Sequence, residues 1–153
     1  MAIHKIDGVD AVDGGSQINN IPKKFVTLTA TGAIAKGQVV SMDFSVLTNG
    51  RGFHVKVTDQ NDSPLAIGVA AEAAAAAGDE IRIQVAGFND DVTLSSGTMS
   101  LSAGGNLIGT NTSGNVRELG AANNFTTHFA VLVKAFTTTS DGAIFIRDHG
   151  FYG

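Results

Sequence analysis

The sequence predicts an all-β protein: a small β-barrel or β-sandwich, built from two similar halves, with an extended N-terminal arm. The first observation is strand periodicity. Apolar and polar residues alternate at 26–30, 53–58 and 81–85, which is the period of half-buried strands. The second is that turn-forming pairs such as Asn49-Gly50 separate these runs. Many short strands joined by frequent turns favour a barrel or sandwich over alternating strands and helices.

The third observation is an internal repeat. Residues 66–88 (AIGVAAEAAAAAGDEIRIQVAGF) align without gaps on 129–151 (FAVLVKAFTTTSDGAIFIRDHGF), at a constant offset of 63. Residues 26–40 resemble 92–108 at an offset of 66–67. The matches occur in the same order in both halves, so we expect the halves to share one fold. Further strands are predicted at 92–94, 129–133 and 144–146.

Five consecutive alanines at 73–77 could instead form a short helix, because alanine is the best helix former. The aligned segment of the second half is FTTTSD, whose β-branched threonines disfavour a helix. A helix this short is also marginal by itself. We therefore predict that the alanines form the loop of a β-hairpin, with a short helical turn at 73–77 as the alternative.

Residues 1–24 differ from the rest of the chain. Their apolar residues recur every third position between aspartates, but glycines disfavour a stable helix and Pro22 interrupts the chain. We interpret 1–24 as an extended arm that is ordered by the surface it lies against, a frayed terminus being the alternative. Residues 25–153 form a single β domain in this interpretation, with pseudo-repeats at about 25–90 and 91–153.

Composition excludes several classes of function. The net charge is −4 and no basic cluster exceeds Lys23-Lys24, so we expect no direct contact with nucleic acid. The chain has no cysteine, and therefore no disulfide, cysteine zinc site or thiol nucleophile. No apolar run approaches the roughly 20 residues of a membrane span, and no secretory segment is evident. We expect a protein made in the cytoplasm and not bound to membranes.

No motif in the sequence indicates catalysis. Asp148 and His149 are adjacent, and neighbouring strand residues point to opposite faces, so they would not share a site. Aspartates at 7, 10 and 13 recur every third residue, whereas a calcium loop needs ligands at alternate positions. A nucleophile elbow and a phosphate-binding loop are both missing. We predict no enzymatic activity and no catalytic, cofactor-binding or metal-binding residues.

Part of the sequence resembles a known family. Four features are similar to the capsid decoration, or cement, proteins of tailed phages. They are the segment at 35–40 (AKGQVV), the segment at 67–70 (IGVA), the alanine-rich hairpin that ends at Gly78, and the strand closed by Gly87. The similarity covers about 25–90 well and the second half more loosely. The N-terminal arm and the closing IRDHGFYG are not part of the pattern.

The resemblance implies a non-enzymatic virion protein, made in the host cytoplasm, that binds the outer surface of the phage head. Its expected partner is the major capsid protein, whose lattice it would stabilise, and it would often be a trimer. The alternatives are another virion β-module, such as a fibre or spike base, and a small ligand- or carbohydrate-binding β-domain. One tyrosine and no tryptophan argue against carbohydrate binding.

Apolar residues with little charge around them are candidate contacts for such a partner. In the arm they are isoleucines, and at the chain end they are aromatic residues of the kind that anchor interfaces. For the chain end, a strand packed into its own barrel is the alternative. The residues predicted to lie at a capsid or subunit interface are Ile3, Ile6, Ile18, Ile21, Phe151 and Tyr152.

Overall fold

The computed structural model describes residues 23–46, 53–102, 106–119 and 128–147. Within these ranges every regular element is a β-strand, which confirms the predicted all-β class. The described ranges contain no helix with the length and apolar composition that a bilayer crossing demands. The strands are β1 (Lys24–Ala30), β2 (Val39–Met42), β3 (His54–Val57), β4 (Ala66–Ala70), β5 (Glu80–Asn89), β6 (Leu107–Thr110), β7 (Val116–Glu118), β8 (Ala130–Lys134) and β9 (Ala143–Ile146).

The first five strands close into a barrel. Their order is β1-β3-β2-β4-β5, and β5 pairs back with β1. All neighbours in this barrel are antiparallel except β1 and β3, which are parallel. The last residues of β5, from Gly87 to Asn89, pair instead with β9 and carry the sheet into the second half. Gly87 has a φ of +95°, so a residue without a side chain occupies the point where β5 changes partners.

The second half repeats the pairing order of the first. Strands β7, β6, β8 and β9 lie side by side, as β3, β2, β4 and β5 do in the barrel. These neighbours are antiparallel in both halves. Leu94 adds a parallel bridge to Val116 of β7, in the way that β1 adds a parallel pairing to β3. The two halves therefore share one arrangement of strands.

One predicted strand, at 92–94, is reduced to the single bridge at Leu94. The alternation of apolar residues in this stretch reflects burial in the second core rather than strand pairing. Ala30 lies opposite Val55 as Leu94 lies opposite Val116, so Ala30 is the structural equivalent of Leu94. These two positions are 64 residues apart, whereas the sequence match gives an offset of 66–67.

The alanine-rich stretch forms the loop of the hairpin between β4 and β5, as predicted, and no helical turn occurs at 73–77. Ala74 makes an isolated antiparallel bridge with Ile34. The hairpin between β8 and β9 has the same feature, since Phe136 bridges Met99. Hydrogen bonding to the neighbouring segment therefore anchors each loop at one residue.

An aspartate closes each of these two loops. The carboxylates of Asp79 and Asp141 each accept hydrogen bonds from the backbone N–H groups three and four positions earlier, at 2.8–2.9 Å. Short acidic side chains favour such turns because they satisfy backbone donors locally. The two aspartates are 62 residues apart, one fewer than the predicted constant offset of 63.

Strands β2 and β4 are buried on both faces. Val40 and Ala70 belong to the core inside the first barrel. Val39 and Val69, which lie opposite each other on the two strands, point the other way into the core of the second half. The second half thus packs on the outside of the first barrel, over these two strands. Burial on both faces explains why neither strand shows alternating polarity.

Each half contributes a separate apolar core. The core of the first barrel includes side chains from all five of its strands. The second core is filled by larger side chains, including two phenylalanines that are almost completely buried. The largest fully buried members of the second core are Phe129, Phe136, Ile108, Ile144 and Ile146.

Hydrogen bonds join the two halves of the molecule. The N–H of Val39 donates to the carbonyl of Gly114 at 2.7 Å, and the hydroxyl of Thr110 donates to the carbonyl of Gln60 at 3.1 Å. Gly114 has a φ of +73°, and a Cβ there would lie 2.7 Å from Cγ1 of Val57. The close approach of the halves therefore depends on glycine at this position.

Candidate functional site

Three exposed, large apolar side chains lie at one end of the first barrel. Strands β3 and β4 run in the same direction and begin at this end, while β2 runs the opposite way and ends there. Phe53 precedes β3, Leu65 precedes β4, and Phe44 follows β2. Their exposed fractions are 43% for Phe44, 66% for Phe53 and 45% for Leu65. We call these three residues the apolar rim. Phe25 is also exposed, but it lies opposite Gln84 on β5, and its ring centre is 5.0 Å from the guanidinium carbon of Arg82.

Backbone pairing fixes the position of the rim. Met42 lies opposite Val55, and the N–H of Asp43 donates to the carbonyl of His54 at 2.8 Å. Continuing this register by one residue brings the end of β2 and the start of β3 together at the rim. Isolated exposed apolar residues are ordinary on protein surfaces. Three of them from the ends of three neighbouring strands indicate an interaction surface, because aromatic residues are enriched where proteins bind each other.

A cleft of about 160 Å³ opens beside the rim, next to Phe44 and Leu65. One wall is the outward face of β2 and β3, and the other is the loop that leads from β3 to β4. The cleft is mixed in character, with apolar side chains at Phe44 and Leu65, while Met42 borders it and belongs to the core of the first barrel. Its polar lining consists of Ser41, Asp43, Ser45, Lys56, Asp59, Gln60 and Ser63.

Asp43 organises the turn at one side of the cleft. Its buried carboxylate accepts hydrogen bonds from the hydroxyl of Ser45 at 2.6 Å, the N–H of Ser45 at 3.0 Å and the hydroxyl of Thr31 at 2.9 Å. The hydrogen bond from the Ser45 side chain is the largest cause that holds the pKa of Asp43 below its usual value. Asp43 is therefore ionised at neutral pH, and its bonds fix the turn that presents Phe44.

Lys56 and Asp59 form an ion pair on the other side of the cleft, with 2.6 Å between Nζ and Oδ2. The hydrogen bond to Asp59 raises the pKa of Lys56, and the same bond lowers the pKa of Asp59. Both groups are consequently charged at neutral pH. Two carboxylates and one ammonium give the cleft a formal charge of −1.

The predicted interface residues cannot be located on this surface, because all of them lie outside the described residues. Their role stays a prediction, as does the division of the chain into an arm and a domain. They are Ile3, Ile6, Ile18, Ile21, Phe151 and Tyr152.

Sequence reasoning missed the rim. Alternation placed Phe53 in phase with Val55 and Val57, which predicts a core position, but Phe53 precedes the strand and is exposed. A signal was present, since Phe44 and Phe53 flank the turn pair Asn49-Gly50. Apolar residues next to a hairpin turn lie at a strand end, where a small barrel offers little burial.

No group of three or more histidine, cysteine or acidic side chains that could hold a metal ion occurs in the described ranges. The cleft does not supply such a set either, because its two carboxylates already have partners in Ser45 and Lys56. The arrangement at this end of the barrel is suited to binding another molecule through apolar contact and charge.

Comparison with known proteins gives a likeness in structure. No protein-family model matches the sequence, and no curated protein matches it. Among solved structures, the chain is similar to the N base of the head fiber protein gp8.5 of bacteriophage phi29, with a TM-score of 0.53 and 10% sequence identity. The match covers 83% of this chain and 96% of that one. At this identity the likeness shows a shared fold.

Proposed function

We propose that this chain is a non-enzymatic structural protein of a phage virion, and that it attaches to the head surface through the apolar rim. The observation that carries the proposal is the shared fold, which spans almost the whole base of a phage head fiber protein. The resemblance of 35–40 and 67–70 to capsid decoration proteins supports the same location independently.

The structure suits such a role. Its two halves are joined by hydrogen bonds and by strands buried on both faces, so the module presents a surface without a large rearrangement. Exposed aromatic side chains are efficient anchors because they bury a large area and lose little conformational entropy. A protein that binds the assembled shell and not its separated subunits stabilises the shell by linkage.

Two finer functions fit this location. As a cement protein, the chain would occupy many equivalent sites and stabilise the capsid lattice, which is what its sequence motifs imply. As a fiber base, it would occupy fewer sites and carry a projecting structure, which its structural neighbour suggests. In either function we propose that its partner is the major capsid protein on the exterior of the head, and that the module acts as a homo-oligomer, with a trimer as the expected form.

The test is to add purified protein to mature phage heads that lack it and to image the particles by electron cryomicroscopy. Density over the whole shell, with a higher temperature of head disruption, would support the cement function. Density at isolated positions, with unchanged heat resistance, would support the fiber-base function. Heads from an unrelated phage are the control. If the protein binds neither set of heads, or both equally, the proposal is wrong.

A further inference from the structure

We propose that the cleft beside the apolar rim receives a basic side chain, arginine or lysine, from the protein to which the rim binds. This inference rests on the proposed function for the source of that side chain. It is carried by three features of the cleft: a buried hydroxyl group without a partner, a net negative charge, and an apolar mouth.

The buried hydroxyl belongs to Ser41. Val40 and Met42 on either side point into the core of the first barrel, so Ser41 points outward and lines the cleft. Ser41 is only 2% exposed, and its Oγ has no hydrogen-bond partner within the described part of the chain. Buried polar groups are nearly always paired in native proteins, and an unpaired one requires an explanation. A hydroxyl oxygen at this place is suited to accept a hydrogen bond from an N–H group of a guest.

The charge of the cleft selects a cation. Its titratable lining groups are Asp43, Asp59 and Lys56, and the Lys56 ammonium already binds Asp59 at 2.6 Å. An anion entering the cleft would face two carboxylates and an ammonium that is already paired. A guanidinium or ammonium group would instead find unused acceptor capacity, because each carboxylate has about four acceptor positions.

The mouth of the cleft suits a long basic side chain. Phe44 and Leu65 border it, and both are partly exposed. Arginine and lysine pack their aliphatic stems on apolar groups while the charged head continues to a polar site. An aromatic ring such as that of Phe44 also attracts a cation above its face. The volume of about 160 Å³ is far larger than a single water molecule needs.

The experiment compares two substitutions with opposite expected effects on binding to mature heads that lack the protein. Asp59→Asn removes the net negative charge and should weaken binding about two- to fivefold, the range of partly exposed charge pairs. Lys56→Gln makes the cleft more negative and should strengthen binding by a similar factor. Ser41→Ala should weaken binding without lowering the unfolding temperature, since it removes a hydroxyl that stabilises nothing in the free protein.

The Lys36–Asp91 ion pair provides matched controls. It is exposed, its atoms are 2.9 Å apart, and Lys36 precedes β2 at the end of the barrel opposite the rim. Asp91→Asn and Lys36→Gln change charge in the same ways and should leave binding unchanged. The inference is overturned if Asp59→Asn and Lys56→Gln shift binding in the same direction, if the controls shift it equally, or if Ser41→Ala has no effect.

A second measurement separates this inference from the proposed function. If the wild-type protein does not bind heads, the proposed function fails, and a nuclear magnetic resonance titration of the free protein decides the inference. The probes are acetyl-arginine amide and its neutral isostere acetyl-citrulline amide. Saturable shifts of the Ser41 and Ser45 amide signals with the arginine probe alone support the inference. Equal shifts with both probes, or none, overturn it.

Discussion

Arg117 on β7 and Asp62 in the loop between β3 and β4 form a bidentate ion pair across the two halves of the molecule. Nε of Arg117 donates to Oδ1 of Asp62 at 2.8 Å, and a second guanidinium N–H donates to Oδ2. The hydrogen bond that Arg117 donates to Asp62 raises the pKa of Arg117. The N–H of Asp62 also donates to the carbonyl of Thr110 at 2.8 Å, so this loop is fastened to the second half at two points.

Asp62→Asn should lower the free energy of unfolding by about 1–2 kcal/mol, because a partly buried, charge-assisted pair is lost. Asparagine is the substitution of choice because Asp62 has a φ of +52°, a conformation that asparagine tolerates. Asp62→Ala should cost about 1 kcal/mol more, since alanine is strained there. Urea unfolding of the three proteins measures these differences.

The exposed Lys36–Asp91 pair also joins the two halves and serves as the control. Lys36→Gln should cost less than about 1 kcal/mol, because solvent screens exposed pairs and their side chains lose entropy on pairing. If Lys36→Gln and Asp62→Asn lower the free energy of unfolding equally, the bidentate geometry of the Arg117–Asp62 pair adds no stability.

Gly142→Ala should destabilise the second half by about 1–3 kcal/mol, the usual cost of overpacking. A Cβ at Gly142 would lie 2.3–2.5 Å from three ring carbons of Phe136. This ring is buried in the second core, and its backbone bridges Met99, so it has little room to move. Thermal unfolding measures the loss.

Gly32→Ala is the matched control for this prediction. A Cβ at Gly32 would meet no heavy atom within 4 Å, and the backbone there does not require a left-handed conformation. Its stability should stay the same or rise by up to about 1 kcal/mol, because alanine reduces the entropy of the unfolded chain. Equal unfolding temperatures for the two variants would refute the packing argument.

The sequence predicted the strands whose two faces differ in burial. β1, β3 and the first four residues of β5 show alternation because one face packs in a core and the other is more exposed. β2 and β4 carry no such pattern, since the second half covers their outer faces. The stretch around Leu94 alternates yet forms only a bridge. Periodicity reports burial, and it identifies a strand only where burial and pairing coincide.

The candidate site was harder to predict than the fold, because it depends on strand direction. Phe44, Phe53 and Leu65 are separated in the chain, and they share one end of the barrel because β2 runs against β3 and β4. The parallel pairing of β1 with β3 has no local signature in the sequence. The hairpin loops, by contrast, were predictable, because each half has its own copy and the threonines of the second disfavour a helix.

Asp141 should make stability depend on pH in strong acid. Hydrogen bonds, above all the one from the hydroxyl of Thr137, lower the pKa of Asp141 to about 2 in the folded protein, against a model-peptide value of 3.8. The folded state therefore favours the carboxylate, and the stabilisation is complete above about pH 5. It declines as the pH falls through 3.8 and is lost below about 2.

The measurement is the unfolding temperature of wild type and Asp141→Asn between pH 6 and pH 2. The difference between the two proteins should be constant above about pH 5 and should shrink toward pH 2. A carbon-13 titration of the Asp141 carboxyl gives its pKa directly. A midpoint near 4, or a difference in stability that does not change with pH, would show that these hydrogen bonds do not favour the ionised form.

Phe53→Ser should weaken attachment to phage heads by about tenfold or more, the loss expected for an aromatic anchor in an interface. Because Phe53 is 66% exposed, the free energy of unfolding should change by less than about 0.5 kcal/mol. Leu101→Ser is the matched control, since Leu101 is 55% exposed but belongs to the second half and not to the rim. Co-sedimentation of each variant with heads that lack the protein measures attachment. If Phe53→Ser binds as well as wild type, Phe53 does not contact the head and the rim is not the attachment surface. If Leu101→Ser is impaired as much as Phe53→Ser, apolar exposure alone accounts for both losses, and the rim has no special role in attachment.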